Sequence, residues 1–116
     1  MSRRPRAARP ALVGAAPVFA ALGDETRLRL VARLCSEGPL PIARLSAGSP
    51  VTRQAVTKHL HALAAAGLVR CRASVRGRGR VWELQPRAFD EARRHLDRIS
   101  ERWDDALARL RAFVEE

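Results

Sequence analysis

The chain has 116 residues, of which 47% are hydrophobic and 29% are charged. This length and composition predict one soluble domain with a modest core, and they exclude general disorder. No apolar stretch approaches the length of a membrane span. The two cysteines, Cys35 and Cys71, provide no disulfide framework and favour a reducing compartment, so we expect a cytoplasmic protein.

Positive charge is concentrated in the first part of the chain. The formal net charge is +10; residues 1–82 carry 15 basic and 3 acidic side chains, and residues 83–116 carry 7 and 9. A basic surface of this density favours a polyanionic partner, because neutralised phosphates release condensed counterions. Codon composition can also enrich Arg, which supplies 21 of the 22 basic residues. Charge alone therefore does not decide for nucleic acid.

The amino terminus is predicted to be a disordered basic arm over residues 1–14, since it has four Arg and almost no large apolar residues. Arg3 and Arg4 ahead of an apolar stretch resemble an export signal, but Pro10 and Pro17 interrupt that stretch. A single folded domain is expected over residues 15–116.

The first two helices of that domain are separated by a short break. A short helix around Pro17–Leu22, with Pro17 in its first turn, is followed by Gly23-Asp24. Asp24 can cap the next helix. The apolar residues of this second helix recur at a spacing of three: Leu28, Val31 and Leu34.

Two further helices follow, separated by a tight turn. A short helix over residues 41–47 precedes Gly48-Ser49-Pro50, and a longer helix over residues 53–66 has Thr52 as its cap. The longer helix has a polar outer arc and a narrow apolar stripe, formed by Val56, Leu60 and Leu63. This pattern is typical of a helix-turn-helix, whose second helix fits the DNA major groove.

A β-hairpin with a basic tip follows Gly67, which is expected to end the helix in a left-handed conformation. Residues 69–75 alternate, and a second strand over residues 80–84 places Trp82 and Leu84 on one face. The alternating residues on the apolar face of the first strand are Val69, Cys71, Ala73 and Val75. Two Gly and three Arg between the strands predict an exposed basic wing.

The rest of the chain, residues 87–115, reads as one long helix with a near-heptad apolar stripe. So small a core cannot bury the whole stripe, so the sequence predicts a homodimer in which this helix pairs with its symmetry mate and with the first helix. The predicted dimer interface comprises Phe19, Leu22, Phe89, Leu96, Ile99, Trp103, Leu107, Leu110 and Val114.

These elements predict a mainly α fold with a small β-hairpin, a winged helix-turn-helix with a long C-terminal dimerisation helix. Four segments in this order resemble the ArsR/SmtB family of winged-helix repressors. They are Val18–Arg27, Thr52–Leu60, Ala66–Val69 and the Arg-Gly hairpin.

The resemblance also bears on metal sensing. That family senses metals with paired thiolates on the helix before the turn, or with carboxylate and His ligands on the last helix. Residues 40–45 contain no Cys and the last helix has only His95, so we expect no metal and no cofactor. The string Thr52–Leu60 and the tail with Trp103 resemble the branch without metal sensors, whose genes often lie beside genes for START-like, AHSA-type proteins.

The first turns of the helix over residues 53–66 hold the candidate DNA contacts. Arg53, Gln54 and Thr57 are predicted to read bases, because Arg pairs with guanine and Gln with adenine. The predicted backbone contacts are Thr52, Lys58, His59, Arg76, Arg78 and Arg80. For His59, a packed position in the protein is an equal alternative.

The sequence therefore predicts a repressor that binds an inverted-repeat operator in double-stranded DNA as a homodimer, with an unknown effector. A basic adaptor that binds RNA or protein on the same fold is the alternative. No Ser/His/Asp set, phosphate loop or metal cluster is present, so we do not expect an enzyme. Cys35 and Cys71 are expected to be small core residues.

Overall fold

A computed structural model describes residues 11–115, with side chains from residue 15 onwards. Five helices and one two-stranded antiparallel sheet follow one another in these residues. In chain order they are α1 (Ala11–Leu22), α2 (Glu25–Glu37), α3 (Ile42–Ser46), α4 (Arg53–Ala65), β1 (Val69–Ala73), β2 (Arg80–Leu84) and α5 (Pro86–Glu115). The winged helix-turn-helix with a long last helix is confirmed.

Helix α1 begins earlier than the sequence predicts. It starts at Ala11, so Pro17 lies inside the helix and not in its first turn, where it removes one backbone hydrogen bond. The arm predicted over residues 1–14 lies mostly outside the described residues; the backbone of residues 11–14 is helical. Val18 and Ala21 anchor α1 on the core.

Helix α2 begins at the predicted cap, since the Asp24 side chain accepts a hydrogen bond from the Arg27 backbone N–H at 3.1 Å. Its buried residues are Leu30 and Leu34, whereas Leu28 is exposed. At 100° per residue, Leu28 lies about 120° from Leu34, so the spacing of three placed it at the margin of the buried face.

The helix-turn-helix is held by one compact apolar cluster. Thr52 caps α4 as predicted, because its hydroxyl oxygen accepts from the Ala55 backbone N–H at 3.1 Å. Gly67 follows α4 with a φ of +81°, a conformation that favours glycine. The predicted stripe of α4 is completely buried, and it packs with Leu45 and Leu68; it consists of Val56, Leu60 and Leu63.

The hairpin is tied to the helices by backbone hydrogen bonds and by a buried tryptophan. Leu40, between α2 and α3, exchanges two backbone hydrogen bonds with Trp82 of β2, at 3.0 and 2.8 Å. Strand β1 ends at Ala73, so Ala73 and Val75, expected on the buried face, are exposed. The wing beyond Ala73 has no apolar surface to cover it.

Only the first turns of α5 lie on the core. Ala88, Ala92 and His95 are buried, and no residue of α5 after His95 is buried. The rest of the helix extends away from the core. With this helix included, the longest dimension of the structure is 66 Å. None of the helices described combines the length and the apolar character needed to cross a membrane.

Candidate nucleic-acid interface

Burial of the α4 stripe turns the opposite side of this helix to solvent. Arg53, Gln54 and Lys58 are exposed, and Thr57 is half-buried. These four side chains line a shallow depression of about 450 Å³ on the protein surface. The structure therefore brings the three predicted base-reading residues together on one accessible face, with Lys58 beside them.

The hydroxyl of Thr57 is already engaged within α4. It donates a hydrogen bond to the Arg53 backbone carbonyl at 3.0 Å, whereas no side-chain hydrogen bond of Arg53 or Gln54 occurs among the described residues. Gln54 and Arg53 consequently offer free amide and guanidinium groups, which are the groups that pair with adenine and guanine. Thr57 presents its methyl group and a rotatable hydroxyl.

His59 faces the protein and joins α4 to the start of α2. The Arg27 Nε donates to His59 Nδ1 at 3.1 Å, and the same guanidinium reaches the Ala21 carbonyl at 3.4 Å. The Asp24 carboxylate lies 3.8 Å from His59 Nδ1. The pKa of Asp24 is lowered, mainly because its carboxylate accepts a hydrogen bond from the Arg27 backbone N–H. This geometry matches the packed alternative for His59; a contact from His59 to phosphate stays a prediction.

The sequence did not identify Arg27 as part of this site. Arg27 lies 32 residues from its partner His59, so no local spacing signals the contact. The partial burial of Arg27, which marks it as more than a surface charge, is visible only in the folded structure. The side chain of Arg27 thus connects α4 with the end of α1 through hydrogen bonds.

The arginines of the hairpin fall into two groups. Arg70 and Arg72 donate to the two carboxylate oxygens of Glu83, at 2.6 and 2.9 Å. These two hydrogen bonds lower the pKa of Glu83. Glu83 is the one acidic residue between positions 38 and 89 of the sequence. Both of its carboxylate oxygens are occupied by arginines of the hairpin.

The three predicted wing contacts are not equivalent. Arg80 folds back on Cys71, with its guanidinium 3.3 Å from the Sγ atom and 3.2 Å from the carbonyl oxygen. Arg76 and Arg78 are exposed at the tip and form no ion pair with the described residues. The tip closes at Gly79, whose φ is +86°. Of the three predicted wing contacts, Arg76 and Arg78 thus have exposed guanidinium groups without an ion-pair partner among the described residues.

Two cysteines and one histidine differ from expectation. Cys35, predicted to lie in the core, is exposed, and Cys71 is half-buried. His61, for which the sequence suggested no role, packs edge-on against Trp82 with ring centroids 5.6 Å apart. His61 therefore supports the hairpin from the outer side of α4.

The residues of the predicted dimer surface differ in burial before and after His95 in the sequence. Phe19, Leu22 and Phe89 are half-buried and pack against the core of their own chain. The large apolar residues of the predicted interface after His95 are all at least 38% exposed, and Trp103 is 63% exposed; they are Leu96, Ile99, Trp103, Leu107, Leu110 and Val114. Phe113, also exposed, lies near them.

Potential metal ligands are scattered. Across residues 11–115, the structure groups no three His, Cys, Asp or Glu side chains in a way that could hold an ion. The single histidine of α5, His95, is enclosed by Phe19 and Arg98.

Comparisons with known proteins agree with this geometry. The helix-turn-helix domain family matches residues 22–72. The HTH-type transcriptional regulator Rv2034 of Mycobacterium tuberculosis (strain ATCC 25618 / H37Rv) is 41% identical over 87 residues, which cover 75% of this chain and 76% of that protein.

Solved structures show the same similarity. An ArsR-like transcriptional regulator from Rhodococcus sp. RHA1 is 36% identical, with a TM-score of 0.72 over 85% of this chain and 91% of that one. The homodimeric winged helix-turn-helix DNA-binding domain of Mb0332 from Mycobacterium bovis is 20% identical, with a TM-score of 0.60 over 92% and 94% of the chains, and shows the fold alone. The chain belongs to the ArsR family of DNA-binding helix-turn-helix transcriptional regulators, which are not enzymes.

Proposed function

We propose that this protein is a homodimeric repressor that acts in the cytoplasm on an inverted-repeat operator. The observation that carries the proposal is the exposed apolar stripe of α5, from Leu96 to Val114, on a chain that also exposes a polar α4. Contiguous apolar surface of this kind marks a protein interface. The homodimeric state of the Mycobacterium bovis domain supports a second copy of this chain as the partner.

A two-fold axis through α5 would present two α4 helices to one face of DNA. Helices of this class enter successive major grooves about 34–36 Å apart, so each half of the operator repeats the other in inverted order. Repression would follow from occupation of a promoter by the dimer.

Within each half-site, we assign base reading to Arg53 and Gln54, with Thr57 contributing its methyl group. Thr52, Lys58, Arg76 and Arg78 are assigned to the phosphate backbone. Arg80 is assigned to the same surface after release from Cys71, since its guanidinium now lies against that residue.

We also assign the protein to the branch of the family without the metal ligands. Helix α3 contains no cysteine, and His95 of α5 is held by Phe19 and Arg98 within the domain. Regulation by a metal bound at the usual family positions would need ligands that this sequence does not provide.

The test is selection of bound fragments from the source genome, followed by titration of the selected duplex by fluorescence anisotropy. We expect an inverted repeat, two chains per duplex and strong competition by that duplex over random duplex. Equal competition by random duplex, or preference for single-stranded RNA, would support the adaptor alternative and end the operator proposal.

Two variants separate base reading from backbone contact. Gln54→Ala should remove roughly 1–3 kcal/mol of discrimination at one base pair in each half-site. Arg78→Ala should weaken operator and random duplex alike, and should reduce the salt dependence by about one counterion per protein chain. If both variants weaken operator and random duplex in the same ratio, the division of roles is wrong.

A further inference from the structure

A cavity of about 310 Å³ lies between α1 and α5, and no residue of α4 lines it. Its apolar side is formed by Ala15, Val18 and Ala92, and its polar side by residues of α5. Pockets of this size with an apolar floor and a few convergent polar groups are typical small-molecule sites.

The polar side is dominated by hydrogen-bond donors. Arg94, His95 and Arg98 line it, together with one carboxylate, Glu91. Among the described residues, neither Arg94 nor Arg98 has a carboxylate within ion-pair distance. The cavity therefore carries two uncompensated guanidinium groups against one acidic group.

The contact with Arg98 distinguishes the two ring nitrogens of His95. A guanidinium group only donates, so Nδ1 is the acceptor in the 3.2 Å contact with Arg98. Nε2 is then the ring nitrogen available to donate to a ligand. His95 is 93% buried, and its Nε2 has no hydrogen-bond partner within the part of the chain that the structure describes.

We propose that this cavity binds a small organic monocarboxylate, with its apolar body on the Ala15, Val18 and Ala92 floor. The carboxylate would accept hydrogen bonds from Arg94 and Arg98, and from His95 Nε2. Charge-assisted bonds from guanidinium to carboxylate are among the strongest polar contacts available to a protein. An inorganic anion would leave the apolar floor unused, and a cation would face two guanidinium groups.

The cavity adjoins the predicted dimer interface. Ala92 and Trp103 are eleven residues apart, so they lie about 20° apart around α5 at 100° per residue. His95 also packs on Phe19, with ring centroids 6.3 Å apart. The inference concerns the cavity as a single chain forms it.

Benzoate is a suitable probe, and benzamide is its neutral counterpart of the same shape. Isothermal titration calorimetry on the full chain at constant ionic strength should show one benzoate per chain with a Kd of roughly 0.1–1 mM, as expected for a ligand of this size. Benzamide should bind at least tenfold more weakly. No saturation by benzoate up to 10 mM, or equal binding of benzamide, would overturn the proposal.

Location is tested by two double variants that remove the same charge. Arg94→Gln with Arg98→Gln should weaken benzoate at least tenfold, whereas Arg102→Gln with Arg109→Gln, farther along the exposed helix, should leave it unchanged. In the wild type, benzoate should shift the imidazole nitrogen resonances of His95 and not those of His59 or His61. Equal weakening by the two double variants, or an unchanged His95, would refute the site.

Discussion

The two tryptophans of this chain lie in regions that differ in whether apolar side chains are buried. Trp82 is 8% exposed, where the hairpin closes over α2 and α4, whereas Trp103 is 63% exposed on α5. The first region completes its core within one chain. The second leaves a stripe of large side chains in water, and each would contribute about 25 cal/mol per Å² of apolar area if a partner covered it.

The apolar patterns of these two regions differ in whether their own chain covers them. The stripe of α4 is narrow and completely buried by neighbouring elements. The stripe of α5 continues for several turns beyond the last buried residue, His95. Variants in one region should therefore change folding stability, and variants in the other should change assembly.

Truncation of a side chain in the core around α4 should cost the most stability. Leu60→Ala should lower the free energy of unfolding by about 2–5 kcal/mol, because Leu60 is completely buried and its truncation leaves a cavity. Leu28→Ala is the matched control, since the same change at this half-exposed position of α2 should cost well under 1 kcal/mol. Chemical denaturation measures both. Similar losses would show that the core does not close around α4.

The next effect belongs to the open stripe. Trp103→Glu should produce a monomer at micromolar concentration in sedimentation equilibrium, because a buried carboxylate without a partner is strongly disfavoured at an interface. Operator affinity should then fall by about 100-fold, or about 2.7 kcal/mol, since only one α4 engages.

Arg109→Glu is the control for that variant, because position 109 lies about 120° from Trp103 around α5. It introduces the same side chain with a larger change of charge, and should leave the dimer intact. A Trp103→Glu protein that still sediments as a dimer would show that the stripe is not the interface.

Sequence periodicity identified both regions because it depends on neighbours along the helix. The stripe of α4, the caps Asp24 and Thr52, and the turn at Gly67 are all local patterns, and all are confirmed. The spacing of Leu28, Val31 and Leu34 did not fix the centre of the buried face of α2, and Leu28 is exposed. Val75 was misplaced because alternation continues past the point where β1 loses its neighbour.

Contacts between distant positions could not be predicted in this way. The backbone pairing of Leu40 with Trp82 and the hydrogen bond from Arg27 to His59 each join residues more than 30 positions apart. Both depend on how the helices pack, which a single sequence does not state. The candidate DNA contacts were therefore proposed from residue type and helix face, but the hydrogen bond that joins Arg27 to α4 was not predicted.

Arg27 offers a sharper test of the closed region. Arg27→Met retains most of the apolar stem and removes the hydrogen bonds to His59 and Ala21. Operator affinity should fall about tenfold, or about 1.4 kcal/mol, because α4 is less firmly oriented. Arg29→Met removes the same charge from an exposed ion pair with Glu25 and should have little effect. Equal losses of operator affinity for the two variants in an anisotropy titration would show that Arg27 acts only through its charge.

The smallest effect concerns Glu83, which holds Arg70 and Arg72 within the hairpin. Glu83→Gln should cost about 1 kcal/mol at pH 7, because two charge-assisted hydrogen bonds are weakened. The pKa of Glu83 is lowered in the folded protein, so its contribution is complete above the unfolded value near 4.3 and is lost as the pH falls through the folded pKa. The difference in unfolding free energy between wild type and variant should therefore shrink at acidic pH. Glu101→Gln, at an exposed site on α5, should show no such convergence, and a constant gap for Glu83→Gln would mean that its ionisation does not stabilise the wing.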